Sequence, residues 1–169
     1  IFCIVSFLFL LVLETSLRIF TTPSETPGYT KTHPTRRYQL RPGFSGKTYD
    51  AILKINSNGF RDTERPISKG DDAYRIAIFG DSITFGVGVE MEQTFPKILE
   101  SELNRVLNFP VEVYNLGVNS YNTVNEYSYL REIYDVLKPQ MVIIQFSIGN
   151  DTGLTAPPGS PEGINNIKL

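Results

Sequence analysis

The chain has 169 residues, 41% of them hydrophobic and 20% charged, and its 16 Lys and Arg nearly balance 18 Asp and Glu for a formal net charge of −2. This composition excludes a disordered or collagen-like chain and suits one domain with extensions. It offers no basic field for a phosphate backbone, so nucleic acid is not an expected partner, and the single cysteine, Cys3, excludes a disulfide framework and zinc sites built on paired thiolates.

Residues 1–13 (IFCIVSFLFLLVL) are an unbroken apolar or small-residue run, followed after Glu14 by Leu17, Ile19 and Phe20. The run lacks a polar face, which argues against an amphipathic core helix. A span needs about 20 residues, and the chain begins at Ile1 rather than Met, so the expectation is a piece of a longer protein whose residues 1–20 form an uncleaved membrane anchor. The competing reading is a secretory signal segment, against which stands the lack of a small-x-small cleavage site.

From Thr21 to about Pro42 the sequence turns to Thr, Pro, Ser and basic residues with no period, which reads as a linker; residues 21–72 are taken together as linker and N-terminal extension. Residues 50–55 (DAILKI) suggest a short strand, and Asn56-Ser57-Asn58-Gly59 a turn. A break over 66–72 precedes the main domain, residues 73–169.

There the pattern becomes regular. Residues 75–79 (RIAIF), stopped by Gly80, read as a strand buried on both faces. Residues 94–107 place Phe95, Ile98, Leu99, Leu103 and Val106 on one helical stripe, and residues 111–114 form a second strand. Thr123-Val124-Asn125-Glu126 fits a capping box before a helix with Tyr127, Leu130, Tyr134 and Leu137 on one face, ended by Lys138-Pro139. Residues 141–146 (MVIIQF) are a third buried strand. The order β-α-β-α-β implies an α/β fold with a parallel sheet and helices on its faces.

Ligands of such sheets bind at the carboxyl ends of the strands, beside the point where strand order reverses. A flavodoxin-like 2-1-3 order brings together three loops: residues 80–86 (GDSITFG), 115–120 (NLGVNS) and 147–151 (SIGND). Nucleotide fingerprints fail, since Gly86-Val87-Gly88 is followed by Met91 where G-x-G-x-x-G needs glycine, and no G-x-x-x-x-G-K-[ST] occurs. The loops offer a hydroxyl, a glycine and a carboxamide instead. Ser82 comes directly after a strand and near the start of a helical segment, where free N–H groups favour developing negative charge. Gly117 allows close approach of its N–H, and Asn150 can donate from its side chain, so Ser82, Gly117 and Asn150 form a candidate oxyanion hole. Taken singly, each fits a cap or turn equally well.

Gly80-Asp81-Ser82 after an apolar strand, Gly117 in an Asn-Leu-Gly loop and Asn150-Asp151 after the third strand resemble, in order, the first three blocks of the SGNH or GDSL-type hydrolases. The resemblance covers about residues 73–153. It implies a three-layer α/β/α sandwich and ester hydrolysis, with Ser82 as catalytic nucleophile and Ser82 N–H, Gly117 N–H and the Asn150 side chain holding the oxyanion. It implies no metal or organic cofactor, and substrates among acylated sugars, envelope polymers, lipids and small esters. Residues 39–65, with Asn58-Gly59-Phe60-Arg61, resemble the segment before the G-D-S strand in membrane-anchored members.

The sequence departs from the pattern in two places. Ile148 and Gly149 precede Asn150 where G-x is common, and no histidine follows Ser82, so the family's Asp-x-x-His is expected beyond Leu169 and this chain alone is expected to be inert. The one histidine, His33, reads as a solvated linker residue. The expectation is a serine esterase acting on O-acyl groups of an envelope glycan, anchored through its N-terminus with the catalytic domain on the extracytoplasmic side. An O-acyltransferase of the same fold and a non-catalytic carbohydrate-binding domain are the alternatives.

Overall fold

The computed structural model of the chain describes residues 2–20, 28–67 and 73–151. In chain order the elements are α1 (Phe2–Phe20), β1 (Thr30–His33), β2 (Arg37–Leu40), β3 (Ser45–Thr48), β4 (Ala51–Lys54), β5 (Tyr74–Gly80), α2 (Ser82–Phe85), α3 (Phe95–Val106), β6 (Val111–Gly117), α4 (Thr123–Leu137), β7 (Met141–Ile144) and α5 (Ile148–Asp151). A 3-10 turn, Met91–Gln93, leads into α3.

Strands β5, β6 and β7 pair as a parallel sheet in the order β6-β5-β7, the flavodoxin-like 2-1-3 arrangement expected. Register sets Gly80 beside Gly117 and Phe79 beside Ile144, which aligns the carboxyl ends of all three strands. Alternation along β5 divides the core in two. Ile76 and Ile78 face Val111, Val113, Leu99 and Leu103 on the α3 side. Ala77 and Phe79 face the other way, toward Tyr114, Leu116, Tyr129 and Leu137 on the α4 side. Helix, sheet and helix are thus stacked in the three layers expected.

The described part of the region expected as a linker, residues 28–42, is structured instead. β1 and β2 form an antiparallel hairpin, as do β3 and β4, and Leu40, Leu53, Ile55 and Phe60 enter the same core as Phe79, Phe85 and Tyr121. Strand β1 (TKTH) carries no apolar residue, so no apolar alternation marks it; its hairpin is held by tertiary contacts, among them Tyr38 Oη donating to Asn119 O at 2.8 Å. His33 is likewise not a solvated residue. Its Nδ1 lies 3.2 Å from Thr35 Oγ1 and its Nε2 3.5 Å from Glu132 Oε2 of α4, with 15% of the side chain exposed.

Further differences lie at element ends and on helix faces. β6 runs to Gly117, so Asn115, Leu116 and Gly117 are strand residues rather than loop. The cap of α4 is Asn122, whose Oδ1 accepts from Val124 N and Asn125 N, while Asn125 Oδ1 accepts from Asn122 N. That places the capping box one residue before the Thr123–Glu126 reading and leaves Glu126 free to turn inward. The buried face of α4 carries Tyr129 and Leu137, whereas Tyr127 and Tyr134 are exposed. β7 ends at Ile144 and is not buried on both faces; among the described residues it pairs with β5 alone, and Met141 and Ile144 are exposed. In the α3 stripe, Leu99 and Leu103 pack on the sheet while Ile98 and Val106 face outward.

Helix α1 is apolar on every described face, and its large side chains from Val5 to Leu13 are 44–66% exposed. Among the described residues no helix is long and apolar enough to cross a membrane, so the expected spanning helix gains no support.

Candidate active site

The three loops converge at the carboxyl edge of the sheet, and the first two are tied to one another through the main chain. Val118 N donates to Gly80 O at 3.0 Å, joining the second loop to the first, and Gln145 N, just after β7, donates to Phe79 O of β5 at 2.9 Å. Thr84 Oγ1 donates to Gln145 Oε1 at 3.2 Å.

Ser82 is the first residue of α2, directly after the central strand, and is partly exposed. Asp81 before it is buried and caps the helix, its Oδ1 accepting from Ile83 N at 2.9 Å. The Ser82 carbonyl accepts from Gly86 N at 2.9 Å and Val87 N at 3.1 Å, which closes the turn and fixes the backbone beneath the hydroxyl. A partly exposed serine at the start of a helix, with its carbonyl anchored, can take up a nucleophile's role once a base is supplied.

Gly117 has a different place from the one expected. It is buried, and its N–H donates to Asn115 Oδ1 at 3.1 Å rather than pointing into open space. A Cβ at this position would stand 2.6 Å from the backbone carbonyl carbon of Thr84 and 2.7 Å from Thr84 Cβ, and closer still to Phe85 N. The glycine therefore lets β6 press against the main chain of α2. In the loop beyond it, the amides of Val118 and Tyr121 are also used internally, by Gly80 O and Val118 O. Asn119 and Ser120 form the exposed part of that loop, and Ser120 takes the left-handed φ of 62° that a non-glycine residue adopts at some cost.

Asn150 belongs to α5, but its side chain lies outside the described residues. Its neighbour Asp151 is buried and joins two elements. Oδ1 accepts from Thr123 N at 2.7 Å and Thr123 Oγ1 at 2.9 Å, while Oδ2 accepts from Ser147 N at 2.6 Å. The third loop is thereby pinned to the start of α4.

Sequence reasoning missed Glu126. It is 1% exposed, and neither carboxyl oxygen has a hydrogen-bond partner among the described residues. Burial, with the nearby Asp151 and Asp81 charges adding, pushes its pKa up to about 8, so the carboxyl is protonated near neutrality. In sequence it looked like half of a capping box, and no signal marked it as an interior acid. His33 has partners in Thr35, Arg36 and Glu132, none of them in the three loops. Among the described residues no group of three or more His, Cys, Asp or Glu side chains is arranged to hold a metal ion.

Residues 78–167 match the model of the GDSL-like Lipase/Acylhydrolase family, from inside β5 through all three loops. Solved structures similar to the chain include AlinE4, an SGNH-hydrolase family esterase, at 26% identity and a TM-score of 0.42, covering 49% of this chain and 43% of that one. A mutant of the same esterase is 27% identical, with a TM-score of 0.39 and the same coverage. The chain thus spans less than half the length of these structures. No curated protein matches. With the family model covering more than half of the chain and every loop of the site, the chain belongs to the GDSL-like Lipase/Acylhydrolase family.

Proposed function

We propose that Ser82 is the nucleophile of a serine esterase that cleaves O-acyl groups. The observation that carries this reading is the position of Ser82: at the carboxyl end of the central strand, opening α2, with Val118 N and Gln145 N hydrogen-bonded to the strand it follows. In the reaction the Ser82 hydroxyl oxygen attacks the ester carbonyl carbon as a base takes its proton. The alcohol leaves with that proton, and water then releases the acid from the acyl-enzyme. The base is an imidazole of the family's Asp-x-x-His block, which this chain does not include.

The oxyanion forms beside the Ser82 N–H and the Asn150 side chain. The Gly117 N–H, the second donor that the family pattern implies, is held by Asn115 Oδ1 at 3.1 Å and would have to leave it to reach the oxyanion. Ile83, 58% exposed beside Ser82, gives the rim an apolar contact for an acyl group.

The exposed apolar surface of α1 supports attachment to a membrane; that the catalytic domain lies on the extracytoplasmic side, within reach of acylated envelope glycans, rests on the likeness to membrane-anchored members of the family. Protease shaving of intact cells or spheroplasts checks this placement; a domain protected until the inner membrane is broken overturns it. For the chemistry, the test is hydrolysis of p-nitrophenyl acetate by the full-length protein. Ser82→Ala should lower turnover by several orders of magnitude while leaving the fold intact. Equal turnover in the two proteins rejects Ser82 as nucleophile.

A further inference from the structure

Among the described residues Arg61 is the largest of the fully buried side chains, and it belongs to the segment before the sheet. A buried guanidinium ordinarily sits against a carboxylate. The fork of Arg61 ends on main-chain carbonyls instead. Nη1 donates to Phe85 O at 2.8 Å and also to Gly86 O; Nη2 donates to Val89 O and reaches Ile52 O at 3.5 Å. Phe85 ends α2, and Gly86 is its left-handed C-cap with φ 82°. Carbonyls at a helix C-terminus lack intrahelical donors and carry partial negative charge, so a cation placed there satisfies both.

The same peptide units lead back to Ser82. The unit joining Phe85 to Gly86 accepts from Arg61 through its carbonyl and donates to Ser82 O through its N–H at 2.9 Å. The unit joining Gly86 to Val87 does likewise, with its N–H 3.1 Å from Ser82 O. Two adjacent bridges, each one peptide wide, thus connect the guanidinium to the Ser82 carbonyl. Donors and acceptors aligned in this way polarise one another. Gly86 fits the arrangement, since a Cβ there would stand 3.0 Å from Arg61 Nη1. The adjoining Asp62, also buried, treats β6 similarly: its Oδ2 accepts from Asn115 N at 3.2 Å, and Asn115 Oδ1 accepts from Gly117 N.

We propose that Arg61 is a positioning residue for Ser82, fixing the Ser82–Val87 turn from behind so that the hydroxyl is presented in one orientation. In its bearing on catalysis the proposal rests on the reading of Ser82 as nucleophile. It makes the extension before the sheet a working part of the hydrolase.

The test compares Arg61→Met, which keeps bulk and loses the fork, with Arg61→Lys, which keeps charge but has one donor centre, in the full-length protein. Two readouts are taken: steady-state hydrolysis of p-nitrophenyl acetate, and hydrogen exchange of the Phe85, Gly86 and Val87 amides against those of the β5–β6 ladder. Arg61→Met should lower kcat by roughly 10²-fold with little change in KM, since a misplaced reacting atom of about 1 Å costs that much. Exchange at the turn should rise while the ladder stays protected, and Arg61→Lys should fall between Arg61→Met and the unmodified protein in both. If Arg61→Met fails to fold, Arg61→Lys is read against the unmodified protein alone, and the same two changes are expected. A folded variant with unchanged kcat and unchanged exchange at the turn overturns the proposal. An unmodified protein that hydrolyses nothing overturns the esterase reading instead, and exchange at the turn still decides whether Arg61 holds it.

Discussion

Gly117→Ala is the smallest change that tests how β6 meets the Ser82 helix. The added Cβ would lie 2.6 Å from the Thr84 carbonyl carbon and 2.7 Å from Thr84 Cβ, and closer than either to Phe85 N. Two of these three atoms are main chain, and α2 is held from behind by Arg61, so relief requires moving a helix rather than turning a side chain. Overpacking a core costs about 1–3 kcal/mol, and backbone contacts place this substitution near the upper end, about 3 kcal/mol. For a domain of this size each kcal/mol lowers Tm by about 2–4 °C, so thermal unfolding followed by far-UV circular dichroism should show a fall of about 6–12 °C. Gly43→Ala is the control. A Cβ there meets nothing within 4 Å, and the cost is limited to the strain of φ 72°, about 1–2 kcal/mol. If Gly117→Ala melts within about 2 °C of the unmodified protein, the described contact between β6 and α2 is wrong.

Asn150→Ala should lower turnover by roughly 10²–10³ with a smaller effect on KM, as loss of an oxyanion donor does; steady-state kinetics on a model ester checks it, and unchanged turnover makes Asn150 a structural residue. Glu126 holds its proton in the folded state up to about pH 8, against a usual value of 4.5. Between those pH values the unfolded chain has released a proton that the folded one retains, so stability falls as pH rises. Glu126→Gln should therefore raise Tm at pH 8 and change it little at pH 5, measured by thermal unfolding at both. For His33 the sign is opposite. Burial, with Arg36 and Lys31 adding and Glu132 opposing, holds its pKa below 6.5, so stability falls as pH drops below that value. Protection of the β1–β2 amides against hydrogen exchange, corrected for intrinsic rate, should be weaker at pH 5 than at pH 7.

The parallel sheet was legible because its strands are short, largely apolar segments flanked by Gly or Pro and alternating with helices; that alternation leaves strand order open, and the flavodoxin-like 2-1-3 order taken for it is the one observed. The place of Ser82 came from its position after the first of these runs. What the sequence hid were features set by tertiary contact. β1 carries no apolar residue, and its hairpin is held partly by Arg36, which reaches Tyr121 Oη at 3.3 Å and Glu132 Oε2 at 3.0 Å. The polar residues of α4 misled as well: Asn125, Glu126 and Ser128 are buried while Tyr127 and Tyr134 are exposed, the reverse of a hydropathy reading. Gly117 falls in a loop when the second strand is taken to end at Tyr114, yet parallel pairing carries β6 through it. Arg61 and Asp62 look like surface charges in a polar stretch, and nothing in the sequence says that their partners lie more than 20 residues away in Phe85 and Asn115.

The most direct test of the central claim is covalent labelling of the full-length protein with a fluorophosphonate, followed by mass mapping of the peptides. The account predicts one stoichiometric adduct on the Ser82 hydroxyl, absent from the Ser82→Ala protein. An active preparation that carries its adduct on another residue, with Ser82 unmodified, would contradict it.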